Sequence, residues 1–395
     1  MSLHGTTVGV VGAGAMGTGI AQIAAAAGHQ VILGDAVAGV TANARASMSK
    51  ALDREVEKKK LGRADADALL ARIDFSPQPL ANELSAYKSC GLVIEAIVED
   101  IDAKSRLFEG LEGVVAPDAV LATNTSSLSV TAIAGACRRA QRVIGLHFFN
   151  PAPVLPLVEV VPWRGTQPTV INASHALMAA WKKTPVLASD TPGFIVNRIA
   201  RPYYGEAIRI AEEGIADYAT IDAAMRGLGK FKMGPFELMD FIGNDVNFAV
   251  TRSVFDGLFY DPRYRPSLTQ QRLVEAGYLG RKAGRGYFDY AEGVAKPEPN
   301  PDPVVALLIF ERIIAMLINE AVDAVHMNVA SPADVDLAMT RGVNYPKGLL
   351  VWCDEIGADR ELAWMTRLHE EFTEDRYRPS PLLRRMARDN TKFFA

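Results

Sequence analysis

The sequence predicts an α/β protein: a doubly wound parallel sheet in the N-terminal half, followed by two related all-α domains. Three observations predict it. The first 35 residues read as strand, glycine-rich turn, helix, strand. Short apolar runs then alternate with helix-compatible stretches as far as Asp190, where the alternation stops. Beyond that point the chain repeats itself at an offset of 114 residues. Alternating strands and helices bury both faces of a parallel sheet, whereas helices broken by Gly and Pro form bundles.

Val8–Val11 is a short apolar run that ends in Gly12-x-Gly14-x-x-Gly17. Ile20–Ala27 has helix-compatible composition up to Gly28, and Val31-Ile32-Leu33 reads as the second strand. Together they form the opening unit of a Rossmann-type sheet. Leu92–Ala96, Val120-Leu121-Ala122 and Val143–Leu146 are further strands, each after a plausible helical stretch. The polar stretch Ala51–Asp74 reads as helical, with Lys58-Lys59-Lys60 inside it. These elements place the sheet domain at 1–189 and a first helical domain at 190–292. Pro297, Pro299 and Pro301 alternate along an extended linker at 293–302, Pro303 continues the alternation, and a second helical domain spans 303–395.

The two helical domains are copies. An offset of 114 pairs Arg198 with Arg312, Glu206-Ala207 with Glu320-Ala321, Asp222 with Asp336, Ala224-Met225 with Ala338-Met339, Gly234 with Gly348 and Asp240 with Asp354. An offset of 113 pairs Arg263-Tyr264-Arg265-Pro266-Ser267 with Arg376-Tyr377-Arg378-Pro379-Ser380. Five consecutive identities at the same relative place mark an internal duplication.

At 395 residues, 49% hydrophobic and 22% charged, the chain has ordinary globular composition and room for two or three domains. A net charge of -4 gives no extended basic surface for nucleic acid or an anionic membrane. The three cysteines, Cys90, Cys137 and Cys353, have neither paired nor metal-site spacing and read as free thiols in a reducing compartment. No metal site is expected. The first 34 residues lack Asp, Glu, Lys and Arg, which could suggest a signal peptide or a membrane span. They also lack a basic leading segment and contain eight glycines, which suits a buried strand and helix better. The expected location is the cytoplasm.

A lone Gly-x-Gly-x-x-Gly also occurs in ordinary turns. Here it follows a strand, opens a helix, and precedes Asp35 at the end of the next strand. Gly12 would allow the turn, Gly14 the approach of a pyrophosphate, and Gly17 close helix packing; Asp35 would accept from ribose hydroxyls. A carboxylate at Asp35 would repel a 2′-phosphate, favouring NAD over NADP. Downstream, His147 stands in Gly-Leu-His-Phe-Phe-Asn-Pro, and Glu159 follows twelve residues later. An imidazole oriented by a carboxylate is a poised general base. The pair can meet only if the Asn150-Pro151-x-Pro153 segment turns the chain back, and spacing alone favours a packed or exposed histidine over a catalytic one.

These strings, with Glu95-Ala96-Ile97-Val98-Glu99, Thr123-Asn124-Thr125-Ser126-Ser127-Leu128 and Asp190-Thr191-Pro192-Gly193-Phe194-Ile195-Val196-Asn197-Arg198, resemble the L-3-hydroxyacyl-CoA dehydrogenase family from about Val8 to Tyr290. The resemblance implies that His147 and Glu159 act as base and orienter, and that Ser126 and Asn197 contact the substrate. It further implies that Asp35, Glu99 and Lys104 contact the dinucleotide and that Asn150 bonds locally beside the histidine. The implied reaction converts an acyl-CoA thioester carrying a 3-hydroxyl into its 3-keto form, with NAD as cofactor. Lys58–Lys60 would then meet the coenzyme A phosphates; a solvated helix face explains them equally well.

The resemblance has gaps. Ala283 stands where the family's closing motif, Leu279–Phe288 here, usually has Ser or Thr. In the second copy Glu311 replaces Asn197, and the glycine-rich closing motif has no counterpart before the last residue, Ala395. Residues 303–395 are therefore expected to be structural, giving a monomer with an internal pseudo-dimer, with a homodimer as the alternative. Two other functions fit the same residues: a dehydrogenase of a non-CoA hydroxy acid, and a non-catalytic NAD-binding structural protein.

Overall fold

The computed structural model describes residues 3–76 and 84–394. They fall into two compact units, Met1–Asp190 and Thr191–Ala395.

The first unit is a single eight-stranded sheet in the order β3-β2-β1-β4-β5-β6-β7-β8. The strands are β1 (Thr7–Val11), β2 (Val31–Gly34), β3 (Ile73–Phe75), β4 (Cys90–Glu95), β5 (Val120–Thr123), β6 (Val143–Phe148), β7 (Leu157–Pro162) and β8 (Thr184–Leu187). All neighbours run parallel except β6 and β7. Successive side chains point to opposite faces, so the apolar runs split between two cores. Leu92, Ile94, Val120 and Ala122 enter one, with Ile20 and Leu33. Val93 and Leu121 enter the other, with Tyr87 and Phe108. Burial on both faces is why these strands read as unbroken apolar runs.

Three strands lay outside the sequence reading. β3 falls within the stretch expected to be helical: α2 (Val40–Glu57) stops early, α3 (Arg63–Ala71) restarts after an extended Gly62, and Asp74 lies on β3. Lys58–Lys60 therefore sit in a turn, with Lys59 at φ 56°, and not on a helix face. The Lys58 and Lys60 ammonium groups lie 3.5 and 3.8 Å from Glu55. β7 carries Glu159 inside an apolar run, and β8 is interrupted by Pro185, which a sheet tolerates at its edge.

The second unit holds two runs of helices with matching order. The first is α8 (Arg201–Glu212), α9 (Tyr218–Gly227), α10 (Pro235–Ile242), α11 (Asn244–Gly257) and α12 (Leu268–Glu275). The second is α13 (Pro303–His326), α14 (Pro332–Gly342), α15 (Leu349–Ile356), α16 (Ala358–Phe372) and α17 (Pro381–Asp389). Asp222 accepts from the N–H groups of Phe236 and Glu237 at the start of α10, and Asp336 does the same for Leu350 and Val351 on α15. Asp240 accepts from Tyr287 and Phe288 N–H, and Asp354 from Phe393 and Phe394 N–H. The second copy thus keeps an aromatic pair on its aspartate although the glycine-rich motif is gone.

The copies grip one another reciprocally. Glu320 of the second accepts from Arg198 at 2.7 Å and Arg263 at 3.2 Å, and from the Tyr264 hydroxyl. Glu206 of the first accepts from Arg312 at 3.1 Å and the Tyr377 hydroxyl at 2.8 Å, with Arg376 4.0 Å away. Each glutamate is buried among the other copy's arginines, as in a two-fold interface where one patch meets itself.

Among the described residues no helix is long and apolar enough to cross a membrane, and no group of three His, Cys, Asp or Glu could hold a metal. The three cysteines are buried and unpaired with one another. Burial pushes the Cys90 and Cys137 thiols up to about 12 and about 11, which leaves little thiolate at neutral pH.

Candidate active site

The site is assembled at the C-terminal end of the parallel strands, where the order reverses between β1 and β4. Open sheets take ligands at such a switch point. β1 ends at Val11, and the chain turns through Gly12 at φ 101°, where a Cβ would lie 2.4 Å from the Ala96 carbonyl oxygen. A Cβ on Gly17 would lie 1.7 Å from the Gly12 carbonyl oxygen, so helix α1 (Ala15–Ala26) can pack against the turn only with glycine there. Gly14 differs: nothing lies within 4 Å of its Cβ position. It is also the N-cap of α1, with no side-chain cap and no acidic residue in the first turn. This open helix start can receive an anion on its backbone N–H groups.

Asp35 follows β2 directly. Its Oδ2 accepts from Ala13 N–H at 2.7 Å and its Oδ1 from Val37 N–H at 2.9 Å, which ties the carboxylate to the glycine turn. A carboxylate oxygen has two lone pairs, so each retains capacity for a further donor. Ribose hydroxyls are donors of that kind. The turn, the open N-terminus and this acceptor fit an NAD adenosine and pyrophosphate.

At the same end of the sheet, His147 of β6 lies directly opposite Glu159 of β7 in the antiparallel register. Opposed side chains on one face are brought together by the backbone itself. Nδ1 of His147 is 2.6 Å from Oε2 of Glu159, with the histidine 5% exposed and the glutamate fully buried. The Phe149 ring packs on the imidazole, 4.4 Å between centroids. Asn124 steadies the strand by accepting from Phe148 N–H at 2.9 Å. Asn150 follows, exposed, and is joined to Pro151 by a cis peptide bond in the turn that brings β7 back.

Glu99 accepts from the Thr125 hydroxyl at 2.5 Å, and from Ser126 N–H and the Ser127 hydroxyl at 3.1 Å each. Burial opposes its charge, but Lys104, 3.2 Å away, and these donors prevail and hold its carboxyl below the usual range. Lys104 is 1% exposed and lies 2.5 Å from a second carboxylate, Glu95. Glu95 and Thr123 had no role in the sequence reading. The signal was an acidic residue closing the otherwise apolar run Leu92-Val93-Ile94. Asn197 lies on the short helix α7 (Val196–Ile199) of the second unit. The structure thus brings together Gly12, Gly14, Gly17 and Asp35, pairs His147 with Glu159, and joins Glu99, Lys104 and Ser126.

A phosphate-ready turn at a switch point, with a carboxylate-held imidazole at the same end of the sheet, places the molecule among dinucleotide-dependent oxidoreductases. The family model for the 3-hydroxyacyl-CoA dehydrogenase NAD binding domain matches residues 7–191, and that for its C-terminal domain matches 193–290 and 308–392. The chain belongs to the 3-hydroxyacyl-CoA dehydrogenase family and is an NAD-dependent oxidoreductase. It is 38% identical to a 3-hydroxyadipyl-CoA dehydrogenase of Escherichia coli, covering 98% of each chain. It is 41% identical to a 3-hydroxybutyryl-CoA dehydrogenase of Bradyrhizobium diazoefficiens, covering 74% of this chain and 97% of that one. A crystal structure of 3-hydroxybutyryl-CoA dehydrogenase from Escherichia coli superposes with a TM-score of 0.90 at 37% identity, covering 98% of each chain. The C-terminal family model falls on the two stretches that the internal offset relates.

Proposed function

We propose that the protein oxidises an L-3-hydroxyacyl-CoA to the 3-ketoacyl-CoA, with His147 as general base. The observation that carries this reading is the 2.6 Å contact between His147 Nδ1 and Glu159 Oε2. A carboxylate at Nδ1 fixes the tautomer that leaves Nε2 as the proton acceptor, and it stabilises the imidazolium that forms. Nε2 takes the 3-hydroxyl proton as the C3–H bond breaks and the C3–O bond becomes a carbonyl. NAD, when bound, supplies the acceptor for the C3 hydrogen and its electron pair. Gly12, Gly14 and Gly17 would hold its pyrophosphate, and Asp35 its adenosine ribose. Ser126 is the proposed contact to the substrate oxygen, carried on a loop fixed by Glu99. Asn197, also a proposed substrate contact, occupies the position that Glu311 takes in the second copy, so we assign catalysis to one site per chain.

The acyl carrier is tested by matched substrates. L-3-hydroxybutyryl-CoA and L-3-hydroxyadipyl-CoA, the second suggested by the relative that matches over almost the whole chain, should be turned over. The corresponding free hydroxy acids should not. Equal turnover of free acids would make this a dehydrogenase of non-CoA hydroxy acids, and NAD binding without turnover of any of them would make it a non-catalytic binding protein.

A further inference from the structure

Glu95 ends β4, its carboxylate is wholly buried, and both oxygens are engaged. Oε1 accepts from Lys104 Nζ at 2.5 Å and from Ile97 N–H at 2.7 Å; Oε2 accepts from the Thr123 hydroxyl at 2.7 Å. Lys104, almost fully buried on α4 (Ile101–Glu112), reaches Glu99 with the same ammonium group at 3.2 Å. Glu99 then holds Thr125, Ser126 and Ser127. A continuous chain of charge and hydrogen bonds therefore runs from inside the sheet, through Lys104, to the loop that carries Ser126.

A strand end needs no such chain for stability. Leu92, Val93 and Ile94 fill the rest of β4 with apolar side chains, and a buried ion pair seldom stabilises more than an apolar replacement of similar volume. What a fully satisfied buried network adds is a fixed geometry. Lys104 has three N–H donors on a flexible stem, and a lysine with only Glu99 beside it could swing with the loop. With Glu95 on its inner side the ammonium is held from two directions.

We propose that Glu95 is a positioning residue. It touches neither substrate nor cofactor, and acts by fixing Lys104 and, through Lys104 and Glu99, the Thr125–Ser127 loop. This rests on the proposed function only for its kinetic readout.

The test is a double-mutant cycle of Glu95→Gln, Lys104→Gln and the pair. NADH dissociation constants by fluorescence titration and kcat/KM on L-3-hydroxybutyryl-CoA are measured at a temperature where each variant is fully folded by circular dichroism. Each single variant should weaken NADH binding and lower kcat/KM by about 10-fold, and the pair should lose no more than Lys104→Gln alone, since residues in one network do not add. An effect of Glu95→Gln that adds in full to that of Lys104→Gln overturns the proposal. So does a lowered unfolding midpoint with both constants unchanged, the mark of a merely structural residue. If the wild type turns over no thioester, the proposed function fails while the NADH cycle still decides this point. If Glu95→Gln does not fold, Thr123→Val, which frees Oε2 of its hydroxyl donor, takes its place with a smaller loss of about 3-fold and the same non-additivity.

Discussion

His147 and Glu159 stand opposite each other on neighbouring strands, so backbone register, and no flexible loop, sets their separation. Replacing His147 with Gln keeps the size of the group and removes the base. Turnover should fall by about 10²–10⁴-fold while NADH still binds, the range for a lost general base. A loss below about 5-fold, measured by initial rates at saturating substrate, would reassign the proton acceptor. The glycines allow a second test, because their surroundings differ. Gly17→Ala places a Cβ 1.7 Å from a backbone oxygen, whereas Gly14→Ala meets nothing within 4 Å. Gly17→Ala should therefore be poorly folded by circular dichroism. Gly14→Ala should fold and melt like the wild type yet bind NADH about 10-fold more weakly, because its methyl group occupies the side open to a pyrophosphate.

At the level of elements, the duplicated aspartates give the clearest expectation. Asp222 accepts from two backbone N–H groups at the start of α10, and Asp222→Ala leaves both buried and unsatisfied. A loss of about 2 kcal/mol or more is expected in urea unfolding, since each orphaned group costs about 1–3 kcal/mol. Much of this architecture was legible beforehand. Val8–Val11 and Val31–Leu33 declared themselves because strands buried on both faces are apolar throughout. The copy relationship was visible because Arg-Tyr-Arg-Pro-Ser carries charges and rings used in both halves. Elements whose stability comes from elsewhere were not legible. β8 is an edge strand of four residues with Pro185 inside it, and β3 owes its strand state to pairing with β2. The break between α2 and α3 turns on a single extended glycine within a polar stretch. Within the site, the glycine turn and Asp35 could be read from residue type and order, whereas His147 and Glu159 could be named as candidates but meet only through the antiparallel pairing of β6 with β7. Glu95 could not be read, because its partners Lys104 and Thr123 lie 9 and 28 residues away and meet it only once the sheet is formed.

For the whole molecule, we propose from the reciprocal cluster around Glu206 and Glu320 that the second copy supplies, within one chain, a surface that a second subunit could otherwise bring. We expect a monomer near 42.7 kDa in sedimentation equilibrium at micromolar concentration, and a stable species of twice that mass would contradict it. The cluster also sets a response to acid. Glu206 is fully buried, which opposes its charge, but Arg209, Arg312 and Arg376 and the Tyr377 hydroxyl outweigh this and lower its carboxyl below the ordinary 4.5. A depressed carboxylate adds stability above its unfolded value and loses it as pH falls through its folded one. The unfolding midpoint should therefore drop on acidification below about pH 4.5. Glu206→Gln should lower the midpoint at pH 7, with a cost of about 3–5 kcal/mol for stranding buried arginines, and make its acid limb shallower. An unchanged acid limb in the variant would show that Glu206 does not set the response to acid.

In the proposed reaction a carboxylate-held histidine removes the 3-hydroxyl proton of an acyl-CoA thioester. The most direct test is NADH formation at 340 nm from L-3-hydroxybutyryl-CoA and L-3-hydroxyadipyl-CoA, with wild type and His147→Gln side by side and NADH affinity matched. Turnover on at least one thioester that collapses in the variant is the predicted result. Equal rates in the two proteins, or none from the wild type with NAD bound, would contradict it.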